Sequence, residues 1–167
     1  MKHPYNHDGA FKRLYIEYLK YGTLYIAFDF DNTIWDHDHY GNQYAYYAQD
    51  SIVFHEQVIN LLKKCRELGM KLILWTSCSD DEEERVKNDI CKYWGIEPDY
   101  LNWSPLSPGA KKPHFNLLLD DRAGLEEAYE VLEKLIMHIE LDKHDNNTTF
   151  NCSSNTAFKP ESVFMFI

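Results

Sequence analysis

The chain alternates short, almost purely apolar runs with longer segments in which apolar residues recur every three or four positions. An apolar run without polar alternation is typical of a strand buried on both faces of a sheet. The runs of this kind are LYIAFDF at 24–30, KLILW at 71–75, FNLLLDD at 115–121 and, more weakly, DYLNW at 99–103. The amphipathic segments between and beside them predict helices. These helices span residues 10–21, 51–69, 79–95 and 123–141.

The predicted helices carry recognisable signals at their ends. Gly22, Gly69 and Gly95 follow the last apolar positions of the first three helices, and glycine adopts easily the left-handed conformation that ends a helix. Ser79 and Glu82 form a capping-box pattern at the start of the third helix. The apolar face of that third helix is predicted to consist of Val86, Ile90 and Trp94.

Strands that alternate with helices predict a parallel sheet with helices on both faces. The predicted fold class is therefore α/β, as a three-layer α/β/α Rossmann-like domain with a mostly parallel sheet. We expect this core to occupy residues 1–141, with an aromatic and polar flap at about 34–50 that lacks periodicity. From residue 142 the composition turns to Asn, Ser, Thr and Lys, so residues 142–167 are predicted to form a polar C-terminal tail.

Composition and charge limit the kinds of binding partner and the cellular compartment that we expect. A formal net charge of −10 opposes non-specific binding to nucleic acid or to anionic membranes, so an extended nucleic-acid partner is not expected. No apolar run approaches the roughly 20 residues that a spanning helix needs, and the first residues lack the apolar stretch of a secretory signal. The four cysteines lie far apart without CxxC spacing, which favours reduced thiols and a cytoplasmic location.

Acidic and hydroxyl side chains stand at the carboxyl ends of three predicted strands, or directly after them. They are Asp29 and Asp31 after the first, Thr76 and Ser77 after the second, and Asp120 and Asp121 after the fourth. Ligands of open parallel sheets gather where the carboxyl ends of the strands meet. Side chains two apart in extended backbone point the same way, so Asp29 and Asp31 can face one spot. Asp120, at the end of another strand, adds a third carboxylate around that point. Carboxylates so close repel one another unless a cation neutralises them, and Mg²⁺, which takes oxygen ligands, is the expected cofactor.

The stretches FDFDNTIWD, KLILWTS and LLLDDRAG occur in this order, each behind or within an apolar strand. Together they resemble the motifs of the haloacid dehalogenase (HAD) superfamily of phosphohydrolases, in particular its small capless members from bacteria and phages. The resemblance covers roughly residues 22–137. It implies a HAD-like fold without a large cap domain, because the flap offers only about 17 residues where other members insert one.

The resemblance also implies roles for the three carboxylates, and general chemistry supports them. Asp29 would attack phosphorus and form an aspartyl-phosphate, which divides a difficult hydrolysis into two displacements. Asp31 would protonate the leaving oxygen and then take a proton from the attacking water. Mg²⁺ would be held by the Asp29 carboxylate, the Asp31 backbone carbonyl and Asp120, and would screen the charge between carboxylate and phosphate.

The phosphoryl oxygens would be bound by Thr76 with Ser77 beside it. Asp121 would orient metal-bound waters or a lysine, with pairing to Arg122 as the equal alternative. The superfamily also needs a cation beside the nucleophile. Lys112 is favoured by its place in the pattern, which requires the loop SPGAKKP to fold over the sheet edge, while Lys111 and Arg122 stay open as alternatives.

The flap carries Trp35 and several tyrosines, including Tyr40 and Tyr47. Aromatic faces beside a phosphate site can stack a nucleobase, although several of these rings are expected simply to pack the flap onto the core. His37 and His39 alternate with aspartates, but no further His or Cys lies at ligand spacing nearby, so a solvated turn is favoured over a transition-metal site.

Two other functions fit the sequence less well than a HAD-type phosphohydrolase. A signalling receiver domain places its lysine after the other motifs, whereas here lysine precedes the Asp120–Asp121 pair. A cysteine phosphatase centred on Cys78 lacks its Cys-x₅-Arg loop, because position 84 is Glu84. The expected function is therefore a Mg²⁺-dependent phosphomonoester hydrolase for a small phosphorylated substrate. A nucleotide monophosphate or a 3′-phosphate end is the expected substrate, and a catalytically inactive HAD-like binding or regulatory module is the alternative.

Overall fold

The computed structural model of the chain describes residues 7–35, 48–78, 80–109 and 114–152. Within these ranges the fold is α/β, with four helices and four strands. In chain order the elements are α1 (His7–Tyr21), β1 (Tyr25–Phe28), α2 (Ala48–Glu67), β2 (Lys71–Leu74), α3 (Asp81–Tyr93), β3 (Tyr100–Leu101), β4 (Leu117–Leu119) and α4 (Leu125–Cys152). The predicted order of strands and helices is confirmed.

The four strands form one parallel sheet in the order β3-β2-β1-β4. Phe28, the last residue of β1, is in register with Leu74 of β2 and with Leu119 of β4. The carboxyl ends of these three strands therefore lie side by side, and the residues that follow them leave the sheet at one edge. This topology is compatible with a Rossmann-like fold, and the predicted parallel sheet is confirmed.

The two central strands are buried on both faces, as their uninterrupted apolar sequences predict. Ile26, Ala27 and Phe28 in β1 and the corresponding residues 72–74 in β2 have no exposed surface. Buried side chains of the helices complete this core, among them Leu14, Val58, Leu62, Leu132 and Leu135. A rigid and fully buried pair of strands fixes the position of the polar residues that follow each of them.

The helix ends agree with the predicted glycine stops. Gly22, with a φ of 71°, donates its backbone N–H to the Tyr18 carbonyl oxygen at 2.7 Å. Gly69 and Gly95 have φ values of 81° and 76°. This left-handed backbone is strained for residues with a Cβ atom, which explains why glycine stands after each of these helices.

The third helix departs from its prediction in two respects. Its N-cap is Asp80 rather than Ser79, which lies outside the described residues, and the Asp80 carboxylate accepts the N–H groups of Glu82 and Glu83. Its buried positions are Lys87 and Cys91, whereas Val86, predicted for the apolar face, is 48% exposed. The helix is therefore rotated so that a lysine enters the interior, because that lysine finds acidic partners there.

The chain divides into two compact units, Met1–Ile136 and Met137–Ile167. The first unit contains the sheet. The described part of the second unit is the end of α4, which continues to Cys152 and thus includes the first residues of the predicted polar tail. Residues 48–50 of the predicted flap belong to α2, while residues 36–47 and 153–167 lie outside the described part. None of the described helices combines the length and apolarity required to cross a membrane.

Candidate functional site

A tight turn follows β1 and carries the first two aspartates. The Asp29 N–H donates to the Leu119 carbonyl oxygen at 2.8 Å, which extends the pairing of β1 with β4 by one residue. The Phe30 carbonyl oxygen then accepts the N–H groups of Ile34 and Trp35, each at 3.1 Å. Asn32 has a φ of 58° inside this turn, a conformation that asparagine tolerates better than most residues. The turn holds both aspartates just beyond the sheet edge.

Thr33 connects this turn to the end of β4. Its side chain is fully buried, and its hydroxyl oxygen accepts the Asp121 N–H at 3.0 Å. The Asp120 carboxylate in turn accepts the Arg122 N–H at 2.8 Å, which fixes the direction of that side chain. Thr33 thus joins the two acidic strand ends, a role that the sequence analysis did not predict.

The carboxylates of the two strand ends act on one another electrostatically. The pKa of Asp29 is raised to about 6, chiefly by burial and in addition by the nearby charges of Asp120, Asp31 and Asp121, against the lowering effect of the Phe30 N–H. At neutral pH a carboxylate with so high a pKa is ionised, and its charge lowers the stability of the folded protein. Asp29 therefore lies within electrostatic range of Asp120, Asp31 and Asp121. The predicted arrangement of Asp29, Asp31 and Asp120 around one point, and their chemical roles, stay predictions.

The donor set at this edge suits a hard divalent cation. Across the described ranges, no group of three or more His, Cys, Asp and Glu side chains is arranged to hold a metal ion. The predicted magnesium site requires only two carboxylates, of Asp29 and Asp120, with the Asp31 carbonyl and water completing the oxygen ligands. Mutually repelling carboxylates in a partly buried position fit such a cation, because its charge would offset their repulsion.

This repulsion leads to a prediction about the metal-free protein. Because the folded-state pKa of Asp29 lies above its ordinary value of 3.8, the ionised group lowers stability above pH 6, and this loss disappears as the pH falls through 6 toward 4. Asp29→Asn keeps the oxygen that accepts the Phe30 N–H but removes the charge. It is expected to raise the free energy of unfolding at about pH 7.5 by about 1 kcal/mol, after allowance for the partial exposure of the carboxylate.

Urea unfolding in EDTA, at about pH 7.5 and about pH 4, measures this effect. The gain is expected at the higher pH only. Equal unfolding free energies of the two proteins at both pH values would mean that Asp29 carries no electrostatic strain.

Thr76 and Ser77 follow β2 at the same edge. The Thr76 N–H donates to the Asn102 side-chain oxygen at 2.9 Å, and the Asn102 N–H donates to the Leu74 carbonyl oxygen at 2.9 Å. The Thr76 side chain is buried, and its hydroxyl donates to the Ser77 carbonyl oxygen over a long 3.4 Å. Asn102, which sequence analysis did not identify, therefore fixes the backbone of the predicted phosphate-binding segment.

The structure brings into this site a lysine of α3 that the sequence analysis did not identify. The Lys87 ammonium group, from the second turn of α3, donates to the Asp31 carboxylate at 2.7 Å, to the Thr76 hydroxyl at 3.0 Å and to the Ser77 carbonyl at 3.1 Å. It also forms an ion pair with Glu83 at 3.1 Å and lies 5.4 Å from the centre of the Phe30 ring. Burial works to lower the pKa of Lys87, but its bonds to Asp31 and Glu83 outweigh that effect and raise it.

The predicted cations are placed differently. Lys111 and Lys112 lie outside the described residues, so their role stays a prediction. Arg122 is exposed and lines the same cleft as Asp31 and Lys87. Lys87 is thus the cation that the described residues contribute to the interior of the site, and it contacts Asp31 rather than the predicted nucleophile.

A cleft of about 830 Å³ opens beside this cluster. Its lining includes the apolar side chains of Phe30, Trp35, Val86 and Ile90, and Glu82 and Arg122 also line it. The Trp35 ring lies 6.1 Å from Phe30 and 5.7 Å from Trp94, centre to centre, so neighbouring rings support it. The other predicted flap aromatics, Tyr40 to Tyr47, and the histidine pair 37 and 39 are outside the described residues.

A scan against protein-family models, a search of curated proteins and a search of solved structures each return no match to this chain. What the chain does is therefore inferred from its residues, from their geometry and from the resemblance of its motifs.

Proposed function

We propose that the chain is a Mg²⁺-dependent phosphomonoester hydrolase of the HAD type, with a three-layer Rossmann-like core, that acts in the cytoplasm. The observation that carries this proposal is the meeting of three polar strand ends at one sheet edge. Asp29 and Asp31 follow β1, Asp120 follows the adjacent β4, and Thr76 follows β2 on the other side. The electrostatic interaction of Asp29 with both Asp31 and Asp120 supports a shared site.

In the first step of the proposed reaction, an Asp29 carboxylate oxygen attacks phosphorus. The bond between phosphorus and the leaving oxygen breaks, and Asp31 gives its proton to that oxygen, so that an alcohol departs and Asp29 carries the phosphoryl group. In the second step, Asp31 accepts a proton from water as the water oxygen attacks phosphorus. Inorganic phosphate leaves, and the Asp29 carboxylate and the protonated Asp31 are restored.

The remaining residues serve binding and charge compensation in this scheme. Thr76 and the backbone N–H groups that follow it would receive the phosphoryl oxygens. When bound between Asp29, Asp120 and the Asp31 carbonyl, Mg²⁺ supplies the positive charge that lets a carboxylate approach an anionic ester. Asp121 lies next to this set through its bond to Thr33, which supports an orienting role for it.

Removal of the metal provides the direct test of this function. Hydrolysis of p-nitrophenyl phosphate is expected to require Mg²⁺. EDTA should lower the rate at least ~100-fold, because without the ion the negative charges of Asp29 and Asp120 would repel the anionic ester. Added Mg²⁺ should restore the rate. Release of phosphate at the same rate with EDTA would contradict the proposed metal role.

The alternative, an inactive binding or regulatory module, has a different signature. Such a module would release no phosphate with Mg²⁺ from any of a panel of phosphorylated metabolites and of 3′- or 5′-phosphorylated oligonucleotides. The presence of both Asp29 and Asp31, which catalysis requires and mere binding does not, favours the enzyme.

We further propose a nucleotide monophosphate as the substrate, ahead of a 3′-phosphate on an oligonucleotide. The aromatic part of the cleft lining, with Trp35 next to the rings of Phe30 and Trp94, suits a flat leaving group. Glu82 and Glu83 line the same cleft, and with the net charge of −10 they oppose a longer polyanion. A small anion with one phosphate meets less of this repulsion.

This substrate proposal predicts the effect of removing the Trp35 ring. Trp35→Ala is expected to raise KM for nucleoside monophosphates about 10-fold, since stacking of a base on an aromatic ring contributes ~1–3 kcal/mol. KM for glycerol phosphate should stay nearly unchanged, Trp35→Phe should retain most of the affinity, and Tyr93→Ala, at an 88% exposed residue of α3, is the control. Equal changes in KM for both substrates would rule out base stacking on Trp35.

A further inference from the structure

Lys87 has a set of contacts that leaves its ammonium group little capacity for a substrate. Three N–H bonds face four oxygen atoms, those of Asp31, Glu83, Thr76 and the Ser77 carbonyl, all within 3.1 Å. The Lys87 side chain is only 7% exposed. To bind a phosphoryl oxygen, it would have to give up one of these partners, so its contribution is directed at the groups that it already holds.

Of these partners, Asp31 is the one with a chemical role in the proposed reaction. Lys87 binds the Asp31 Oδ2 atom at 2.7 Å, a short bond from a charged donor that fixes the rotation of the carboxyl group. The proton that Asp31 gives to the leaving oxygen is then carried on Oδ1. Lys87 is itself held in place by Glu83, one helical turn earlier, and α3 begins at a capped N-terminus. The acid, which stands on a loop, is therefore held by a side chain mounted on a helix.

We propose that Lys87 is a positioning residue that orients Asp31 for proton transfer to the leaving oxygen, without binding the phosphoryl group itself. This inference rests on the proposed phosphohydrolase function. It differs from the predicted role of Lys112, whose expected place is beside Asp29 and the phosphate.

The proposal makes the effect of Lys87 depend on the leaving group. An alcohol or a ribose hydroxyl departs only with a proton, so a misplaced acid slows its departure strongly. The p-nitrophenolate ion is a stable anion that departs without a proton. The parameter kcat/KM reports the reaction up to the first irreversible step, in which the leaving group departs, and it excludes the later hydrolysis of the aspartyl-phosphate.

The test compares Lys87→Met with the wild type on a series of phosphate esters, from p-nitrophenyl phosphate through phenyl phosphate to an alkyl phosphate. The variant is expected to lose about 100-fold in kcat/KM with the alkyl ester and less than about 5-fold with p-nitrophenyl phosphate. Asp31→Asn should show the same dependence on the leaving group, and the double variant should lose no more than Asp31→Asn alone. Lys92→Met, an exposed lysine on the same helix, is the matched control.

The outcomes separate this proposal from the function on which it rests. Equal losses of kcat/KM for all esters would show that Lys87 binds the phosphoryl group or merely supports the site, and would overturn the positioning role alone. A wild type that hydrolyses none of the esters with Mg²⁺ would reject the proposed function, and the role of Lys87 with it. If thermal unfolding shows that Lys87→Met does not fold, Lys87→Gln, which keeps a donor, replaces it, and the same comparison decides.

Discussion

Asp29→Asn is expected to lower kcat at least ~1000-fold while the fold stays intact, because a neutral amide cannot attack phosphorus as a carboxylate does. The asparagine side chain has nearly the same shape and keeps an oxygen to accept the Phe30 N–H. Its backbone N–H still donates to the Leu119 carbonyl oxygen, which joins the end of β1 to β4. Steady-state release of phosphate from p-nitrophenyl phosphate measures the loss, and circular dichroism measures the fold.

The control for this change is Asp89→Asn. Asp89 is a carboxylate on α3 that is 61% exposed and lies 3.7 Å from the Lys92 ammonium group, so the variant removes one negative charge outside the site. Its kcat is expected to match that of the wild type. If Asp29→Asn retained more than about a tenth of the wild-type kcat, the assignment of the nucleophile would be wrong.

Asp120→Asn is expected to weaken the apparent affinity for Mg²⁺ at least ~10-fold and to lower activity at limiting Mg²⁺ about 100-fold. The physical reason is the loss of one of the two carboxylates that would hold the predicted ion. The asparagine oxygen can still accept the Arg122 N–H that the Asp120 carboxylate binds at 2.8 Å, so the turn after β4 should survive.

Titration of activity with Mg²⁺ measures this effect, and excess Mg²⁺ should restore part of the rate. Asp121→Asn provides a graded comparison, because Asp121 belongs to the same acidic end but is predicted to act at one remove from the ion. It should shift the Mg²⁺ dependence less. An unchanged Mg²⁺ dependence in Asp120→Asn would remove Asp120 from the metal site.

The sequence predicted the strand ends of the site because two simple regularities govern them. Buried parallel strands have uninterrupted apolar sequences, and the residues after them leave the sheet at one edge. The strand ends that carry Asp29, Asp31 and Asp120 could therefore be assigned to one edge of the sheet without knowledge of side-chain positions. The strand lengths were overestimated: of the apolar run at 24–30 only Tyr25–Phe28 is a strand, and of the run at 115–121 only Leu117–Leu119.

Lys87 could not be identified by the same argument. A lysine in an amphipathic helix is normally exposed, and the sequence predicts that its neighbour Val86 lies on the apolar face with Ile90. Tertiary contacts reversed this expectation, because the acidic partners at the sheet edge compensate a buried ammonium group. One signal was available: Lys87 and Cys91 are four residues apart and share a helical face, and a helix that follows a site-forming strand begins beside that site.

The roles of Thr33 and Asn102 also could not be predicted from the sequence. Both serve by accepting a backbone N–H from another segment, at 3.0 Å from Asp121 and at 2.9 Å from Thr76. Such bonds depend on the relative placement of loops from different strands, which no local pattern encodes. The flap and the predicted Lys112 lie outside the described residues, so the sequence-based expectations for them stand as predictions.

The central claim, that the Asp29 carboxylate becomes phosphorylated during turnover, can be measured directly. The wild type is mixed with a phosphate ester and Mg²⁺ and quenched in acid, and borohydride then reduces any acyl phosphate to the alcohol. Peptide mass spectrometry is predicted to find residue 29 converted to homoserine, with no conversion when Mg²⁺ is withheld. Sustained release of phosphate with residue 29 unmodified, or with the modification on another residue, would contradict the account.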